Sequence, residues 1–342
     1  MKIVLVTPAP TQAHTGNRTT ADRWARLLTE LGNHVSLRKD WNGEECDLLV
    51  ALHARRSFPS IQRFRHERPL APLIVALTGT DLYSDFENSA EAICSLELAS
   101  RIVVLQALGV EAVPESARRK VRVIYQSAER PSPSPLREAS CFQICELAHL
   151  RAVKDPLRPA YAVRELPPSS RICVKHAGAM LDLDFAGLVE AEQRSNPRYR
   201  WLGPLAHESA VDLLARSHML VITSHLEGGA NVISEAIAVS VPVISSLIPG
   251  SVGILGPNYP GYYRVGDSAD LREQLRRAKS DDRFYRDLQQ WVARLHPLVS
   301  ARRGGLVGRA KLKISLYPVN LTGDRFRKDT VCKRRLSLLM LC

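Results

Sequence analysis

At 342 residues, with a hydrophobic fraction of 45%, the chain is long enough for two ordinary soluble domains, each with its own core. The net charge of +12 suggests a nucleic-acid footprint until it is located. Eleven Lys/Arg stand against two acids after residue 300, so nine of the twelve charges belong to the last stretch and the body is nearly neutral. No run approaches the roughly 18 apolar residues of a membrane helix, and the apolar run in MKIVLVT is too short for a signal peptide. Seven scattered cysteines without a CxxC pair predict a reduced, cytoplasmic setting in which the thiols are mostly core filler.

In chain order, KIVLVT (2–7) reads as a buried parallel strand, and the loop PAPTQAHTGNR leads to an amphipathic helix over 19–31. Trp24, Leu27, Leu28 and Leu31 lie on its inner side, and Gly32 caps it. The strand HVSL follows, then the strand CDLLVALHA, a helix from about Phe58 and PLIVALTGTD (strand and loop). A helix over 90–99, the strand RIVVLQ, a helix over 109–119 and the strand VRVIY complete the first half. Strands alternating with helices predict a parallel, doubly wound α/β sheet over residues 1–128.

Residues 129–140 form a Pro/Ser linker, because alternating prolines support neither a helix interior nor a central strand. The alternation resumes over 141–299 with FQICELAHL, a helix from about Pro156, SSRICVKHAG, a helix over 185–194, YRWLG, a helix over 207–217 and MLVITS. After LVITSHLEGGANVISEAIAVSVPVISS (220–246) come two more helices, over 269–278 and 282–295. Two Rossmann-like halves place a cleft at the C-terminal ends of their strands, which is where such sheets bind ligands. The basic text over 300–342 has no clean helix or strand period and reads as an irregular tail; a shifted reading frame upstream of residue 300 would produce such text.

The stretch over 220–246 carries the most chemistry. It reads as a strand, a loop with Gly228 and Gly229, a helix from about Asn231 and a second buried strand. Unpaired backbone N–H groups at the helix start can hold an anion, and Gly228, Gly229 and Ala230 permit close approach to a phosphate. Glu227 and Glu235 are placed to accept hydrogen bonds from hydroxyls. Asn231 either caps the helix or touches a sugar. Asp182-Leu183-Asp184 has the spelling of a metal-binding Asp-x-Asp, but it follows a different strand and reads as a solvated turn.

Glu227-x7-Glu235, followed by VPVISS and placed in the ordered series WLGPL, ARSHMLVITS, EGGANVISEA, IPGSVG and VGDSADLREQL, resembles the retaining GT-B glycosyltransferases of family four. The resemblance implies two Rossmann-like domains, a nucleotide-sugar donor bound in the second of them, and no metal or other cofactor. It assigns Glu235 to the ribose hydroxyls, Glu227 to the transferred sugar and Lys154 to the diphosphate. The family's usual arginine position holds His149, with Arg151 two residues on, so either side chain can join Lys154. Family members end in a helix crossing both halves, which this tail does not resemble.

A narrower likeness is carried by ALHARRS (51–57), LTGTDLY (77–83), HLRAVKDPLR (149–158), EGGANVISEA (227–236) and IPGSVG (248–253), which resemble the selenosugar synthases of selenoneine biosynthesis. It implies transfer of glucose or N-acetylglucosamine from a UDP-sugar to selenophosphate, with a glycolipid or polysaccharide acceptor as the alternative. A small anionic acceptor needs donors; the first half offers Asn17 and Arg18 in the first loop, and His53, Arg55 and Arg56 after a strand. Asp81, closing TGTD, is a further candidate for an acceptor or sugar contact.

Overall fold

The alternation of short apolar runs and amphipathic segments resolves into two parallel sheets. A computed structural model of the chain describes residues 1–9, 16–83, 89–131 and 140–300. Most of the Pro/Ser linker and the basic tail beyond Ser300 therefore lie outside the described residues, as does part of the first loop. Residues 1–300 form one unit that contains both sheets.

The first half runs β1 (Lys2–Val6), α1 (Gly16–Glu30), β2 (His34–Arg38), β3 (Leu48–Leu52), α2 (Phe58–Glu67), β4 (Leu73–Leu77), α3 (Thr80–Tyr83) and α4 (Ala90–Leu98). It continues with β5 (Arg101–Val104), α5 (Gly109–Ala112), α6 (Glu115–Arg118) and β6 (Val121–Val123). Its sheet order is β2-β1-β3-β4-β5-β6, all parallel. The central strands LLVAL and LIVAL are buried at every position because helices cover both faces. Each Leu or Val so placed contributes about 1.5–3 kcal/mol of burial before chain entropy is subtracted.

The second half runs β7 (Phe142–Leu147), a 3-10 turn (Ala152–Lys154), α7 (Arg158–Arg164), β8 (Ile172–Ala177), α8 (Phe185–Ser195), β9 (Tyr199–Trp201), α9 (His207–Arg216), β10 (Met219–Ile222) and α10 (Asn231–Ala238). β11 (Val243–Ser246), α11 (Pro249–Leu255), β12 (Tyr262–Tyr263), α12 (Ser268–Ser280), α13 (Asp282–Arg294) and α14 (His296–Val299) follow. The order β12-β11-β10-β7-β8-β9 reverses direction between β7 and β10. In the first sheet the reversal lies between β1 and β3. Ligands of such sheets bind at these switch points, so the loops after β1, β3, β7 and β10 are the ones that matter.

The structure corrects the sequence reading in four places. The single helix expected over 109–119 is two turns, because Pro114 removes a donor and holds Val113 extended at ψ 136°. The inner face of α1 is Thr20, Ala21, Trp24 and Leu28, whereas Leu31 is exposed. A helix not anticipated, α11, begins at Pro249, whose fixed φ suits a first helical turn. Cys141 and Cys173 form a disulfide with Cα atoms 6.3 Å apart, against the expectation of unpaired thiols; pairing of β7 with β8 brings the two into range. Among the described residues no helix is long and apolar enough to cross a membrane.

Candidate active site

A cavity of about 380 Å3 opens between the two sheets at the switch-point loops. His149, Arg151 and Lys154 line it from the segment after β7, and Glu227 to Asn231 and Glu235 from the loop and helix after β10. From the other half, Asn17, His53, Arg56, Thr78 and Gly79 face them.

Lys154 is set by the 3-10 turn, which ends on Asp155 in the left-handed region at φ 46°. Asp tolerates that region better than most residues, and Arg158 ties the Asp155 carboxylate at 2.7 Å. Two bonds from the loop after β10 hold the turn: Thr223 Oγ1 donates to the Lys154 carbonyl at 2.7 Å, and the His225 N–H donates to Val153 O at 2.9 Å. Lys154 Nζ pairs with Glu227 Oε1, which also accepts from Ser224 Oγ at 2.6 Å. Both side chains are largely buried, so each charge is stabilised by the other rather than by water. His149 Nδ1 accepts from the Ala179 N–H at 3.0 Å, which puts the proton of the neutral ring on Nε2. Arg151 is exposed at the cavity rim.

Behind the 3-10 turn lies a buried polar cluster that the sequence did not single out. Burial pushes the Glu146 carboxyl well above the usual carboxylate range. Thr223 Oγ1 donates toward Glu146 Oε1 at 3.1 Å as well as to the Lys154 carbonyl at 2.7 Å, so the cluster is tied to the turn through one hydroxyl. His176 Nε2 donates to Ala148 O and Nδ1 accepts from Tyr199 OH, both at 2.8 Å. Burial lowers His176 to about 4, so the ring that approaches Glu146 at 3.5 Å is neutral at pH 7.

The glycines also carry a packing role that the sequence reading did not include. A Cβ on Gly228 would lie 2.7 Å from the Gly79 nitrogen, and one on Gly229 would lie 2.5 Å from Leu105 Cβ. Both therefore let the donor-side loop touch the opposite half; any closer approach to a phosphate is additional. Asn231 does not cap α10, whose N-cap is Ala230 without a side-chain bond. Its Nδ2 donates instead to Gly16 O at 3.3 Å and Thr20 Oγ1 at 3.4 Å, both on α1.

The first-half candidates divide. Asn17 and Arg56 line the cavity, and Arg18, Arg55 and Asp81 do not. Arg18 is drawn onto Asp22, one helical turn away, at 2.9 Å. Asp81 is fully buried: Oδ1 accepts from the N–H groups of Thr78 (3.2 Å) and Gly79 (2.9 Å), and Oδ2 from that of Ala54 (3.0 Å). It thus anchors the turn that carries Arg56 rather than lining the cavity. His53 adopts φ 72° beside it. Asp182 Oδ1 accepts from the Asp184 N–H at 3.1 Å, closing the turn before α8.

Arg23 is the residue that sequence reasoning missed. Its Nη1 donates to Asn231 Oδ1 at 2.6 Å and its Nη2 reaches Glu235 Oε1 at 3.3 Å, with both charged side chains over nine-tenths buried. The available signal was an arginine next to the α1 face that carries Thr20 and Trp24.

The comparisons with known proteins agree with this architecture. Residues 189–292 match the family model described as Glycosyl transferases group 1, and the fold is that of the two-domain GT-B glycosyltransferases. The matched span is under a third of the chain, and the likenesses to solved structures show the fold.

Among particular relatives, a glycosyltransferase 1 domain-containing protein from Xenopus tropicalis is 28% identical over 286 residues, covering 75% of this chain and 81% of the relative. Anabaena HepE, solved in complex with UDP-glucose, superposes with a TM-score of 0.66 at 17% identity, covering 88% of this chain and 95% of HepE. A sucrose-phosphate synthase from Thermosynechococcus elongatus superposes with a TM-score of 0.67 at 15% identity, covering 87% of this chain and 95% of that one.

Proposed function

We propose that the protein is a family-four glycosyltransferase that moves glucose or N-acetylglucosamine from a UDP-sugar to selenophosphate. The observation that carries the reading is the cavity in which Lys154, Glu227 and Glu235 of one half face Asn17 and Arg56 of the other. Donor use is further supported by HepE, which was solved with UDP-glucose in the same fold. The selenium acceptor rests on the likeness of ALHARRS, LTGTDLY, HLRAVKDPLR, EGGANVISEA and IPGSVG to selenosugar synthases.

In this reading the selenium of selenophosphate attacks the sugar C1. The C1–Se bond forms as the C1–O bond to UDP breaks, the electron pair leaves with the diphosphate, and nothing is oxidised or reduced. Lys154, Arg151 and the N–H groups opening α10 stabilise the departing charge, in a site that needs no resident metal or cofactor. His149 donates from Nε2 to the same diphosphate. The ion pair with Glu227 holds Lys154 in place until the diphosphate arrives, which frees Glu227 for the sugar hydroxyls. Glu235 accepts from the ribose diol. Asn17 and Arg56 hold the acceptor phosphate from the opposite wall.

Incubating the full chain with UDP-N-acetylglucosamine or UDP-glucose and selenophosphate under reducing conditions tests this. Mass spectrometry should show UDP and a sugar bearing selenium at C1. Turnover of a lipid or glycan acceptor with none on selenophosphate overturns the acceptor assignment.

A further inference from the structure

Glu235 is the only acid on α10, and the chain places a cation against it from the opposite half of the molecule. Arg23 stands on α1, and its guanidinium spans Asn231 and Glu235, which lie four residues apart on one face of α10. The fork is held from behind. Gln126 Oε1 accepts from Nη1 at 3.5 Å, Gln126 Nε2 donates to Thr20 Oγ1 at 2.8 Å, and Thr20 Oγ1 donates to Gly16 O at 2.9 Å. Asn231 returns two bonds to the same helix, so Arg23, Asn231, Gln126 and Thr20 form one network behind a single carboxylate oxygen.

Burial opposes the charge on Arg23, and Glu235 is the group that offsets it. Arg23 occupies Oε1 only. Glu235 Oε2 has no hydrogen-bond partner among the described residues, and Glu235 lines the cavity. His207 Nδ1, on α9, lies 3.9 Å from the same Oε1. One oxygen is thus spent on positioning and the other is left for a ligand.

We propose that Arg23 is a positioning residue for nucleotide recognition, contributed by the half that does not bind the nucleotide. It aims Glu235 at a vicinal diol, and so sets the preference for ribose over a deoxygenated sugar. The inference rests on the donor reading above. A second consequence is that diol recognition requires the two halves to be closed on each other, since the Arg23 fork joins α1 to α10.

The test measures binding of UDP and of 2′,3′-dideoxyuridine diphosphate to the full chain by calorimetry, for wild type, Arg23→Gln, Glu235→Gln and the double variant. Wild type should prefer UDP by at least about tenfold, because a buried acceptor left unpaired is costly. Glu235→Gln should remove most of that preference. Arg23→Gln should cut it by about tenfold, and adding it to Glu235→Gln should change nothing more, since residues acting as one unit are not additive. A purely structural Arg23 would lower affinity for both nucleotides equally and leave the ratio intact; that result overturns the proposal. If Arg23→Gln fails to fold, Arg23→Lys carries the same test. A compact ammonium cannot span Asn231 and Glu235 together, so the ratio should fall part-way; an unchanged ratio again overturns the proposal. Failure of wild type to bind UDP overturns the donor reading instead.

Discussion

The two walls of the cavity differ in how their residues got there. On the second-half wall, the named candidates His149, Arg151, Lys154, Glu227 and Glu235 all line one space. On the first-half wall, Asn17 and Arg56 line it, and Arg18, Arg55 and Asp81 do not. The second wall is a strand-loop-helix whose geometry follows from a few consecutive residues. The first wall is made by loops whose side chains choose between the cavity and nearer partners, as Arg18 chooses Asp22. A motif defined by local backbone positions its side chains reliably; charged residues merely close to a strand end do not.

Several measurements would break or sharpen that contrast. The largest effect belongs to the second wall: Lys154→Ala should lower kcat by about 10²–10³-fold, with donor KM changing less, since its charge matters most as the diphosphate departs. A drop under tenfold would remove Lys154 from the chemistry. Next is Asp81→Ala on the first wall, which strands three buried backbone N–H groups and should cost about 3 kcal/mol or more in urea unfolding. UDP affinity measured on the folded fraction should stay within about twofold. An affinity loss without a stability loss would return Asp81 to the binding site.

The scaffold behind the second wall should also be acid-sensitive. His176 binds its proton at about 4 in the folded chain, against 6.5 in the ordinary side chain. A depressed histidine contributes stability above 6.5 that is lost as pH falls from 6.5 toward 4, by about 3 kcal/mol in all. Urea midpoints across that window should flatten in His176→Gln, which can still donate to Ala148 O and accept from Tyr199. Unchanged slopes would mean that the ring is not held neutral by burial.

The smallest effects discriminate within the first wall. Arg56→Ala should raise the acceptor KM about tenfold, and Arg55→Ala should change it less than about twofold, because only Arg56 lines the cavity. Equal effects would mean that the acceptor enters by another route.

How much of this was legible in the sequence differs by element. The strands with continuous apolar runs, such as LLVAL and LIVAL, were readable because burial on both faces leaves no polar alternation. The break at Pro114 has a sequence signal of its own, since proline removes a donor and holds the preceding residue extended. Glu146 and His176 gave no signal: each is a titratable residue in a strand, and only the tertiary structure buries it where its charged form is disfavoured. The packing roles of Gly228 and Gly229 were also hidden, because the Gly79 backbone and the Leu105 side chain that make a Cβ impossible lie more than 100 residues away.

By itself the sequence determined the alternation of elements, the parallel sheets it implies and the position of Lys154, Glu227 and Glu235 in the loops and helix that follow β7 and β10. These follow from local periodicity, turn chemistry and the rules for winding parallel strands. The tertiary structure alone decided that Arg23 reaches Glu235, that Asp81 is consumed by backbone N–H groups, and that Arg56 rather than Arg55 lines the cavity. Each of those outcomes depends on which side chain finds its partner first in three dimensions. A hydrogen bond is won or lost over an ångström, a distance that no spacing along the chain specifies.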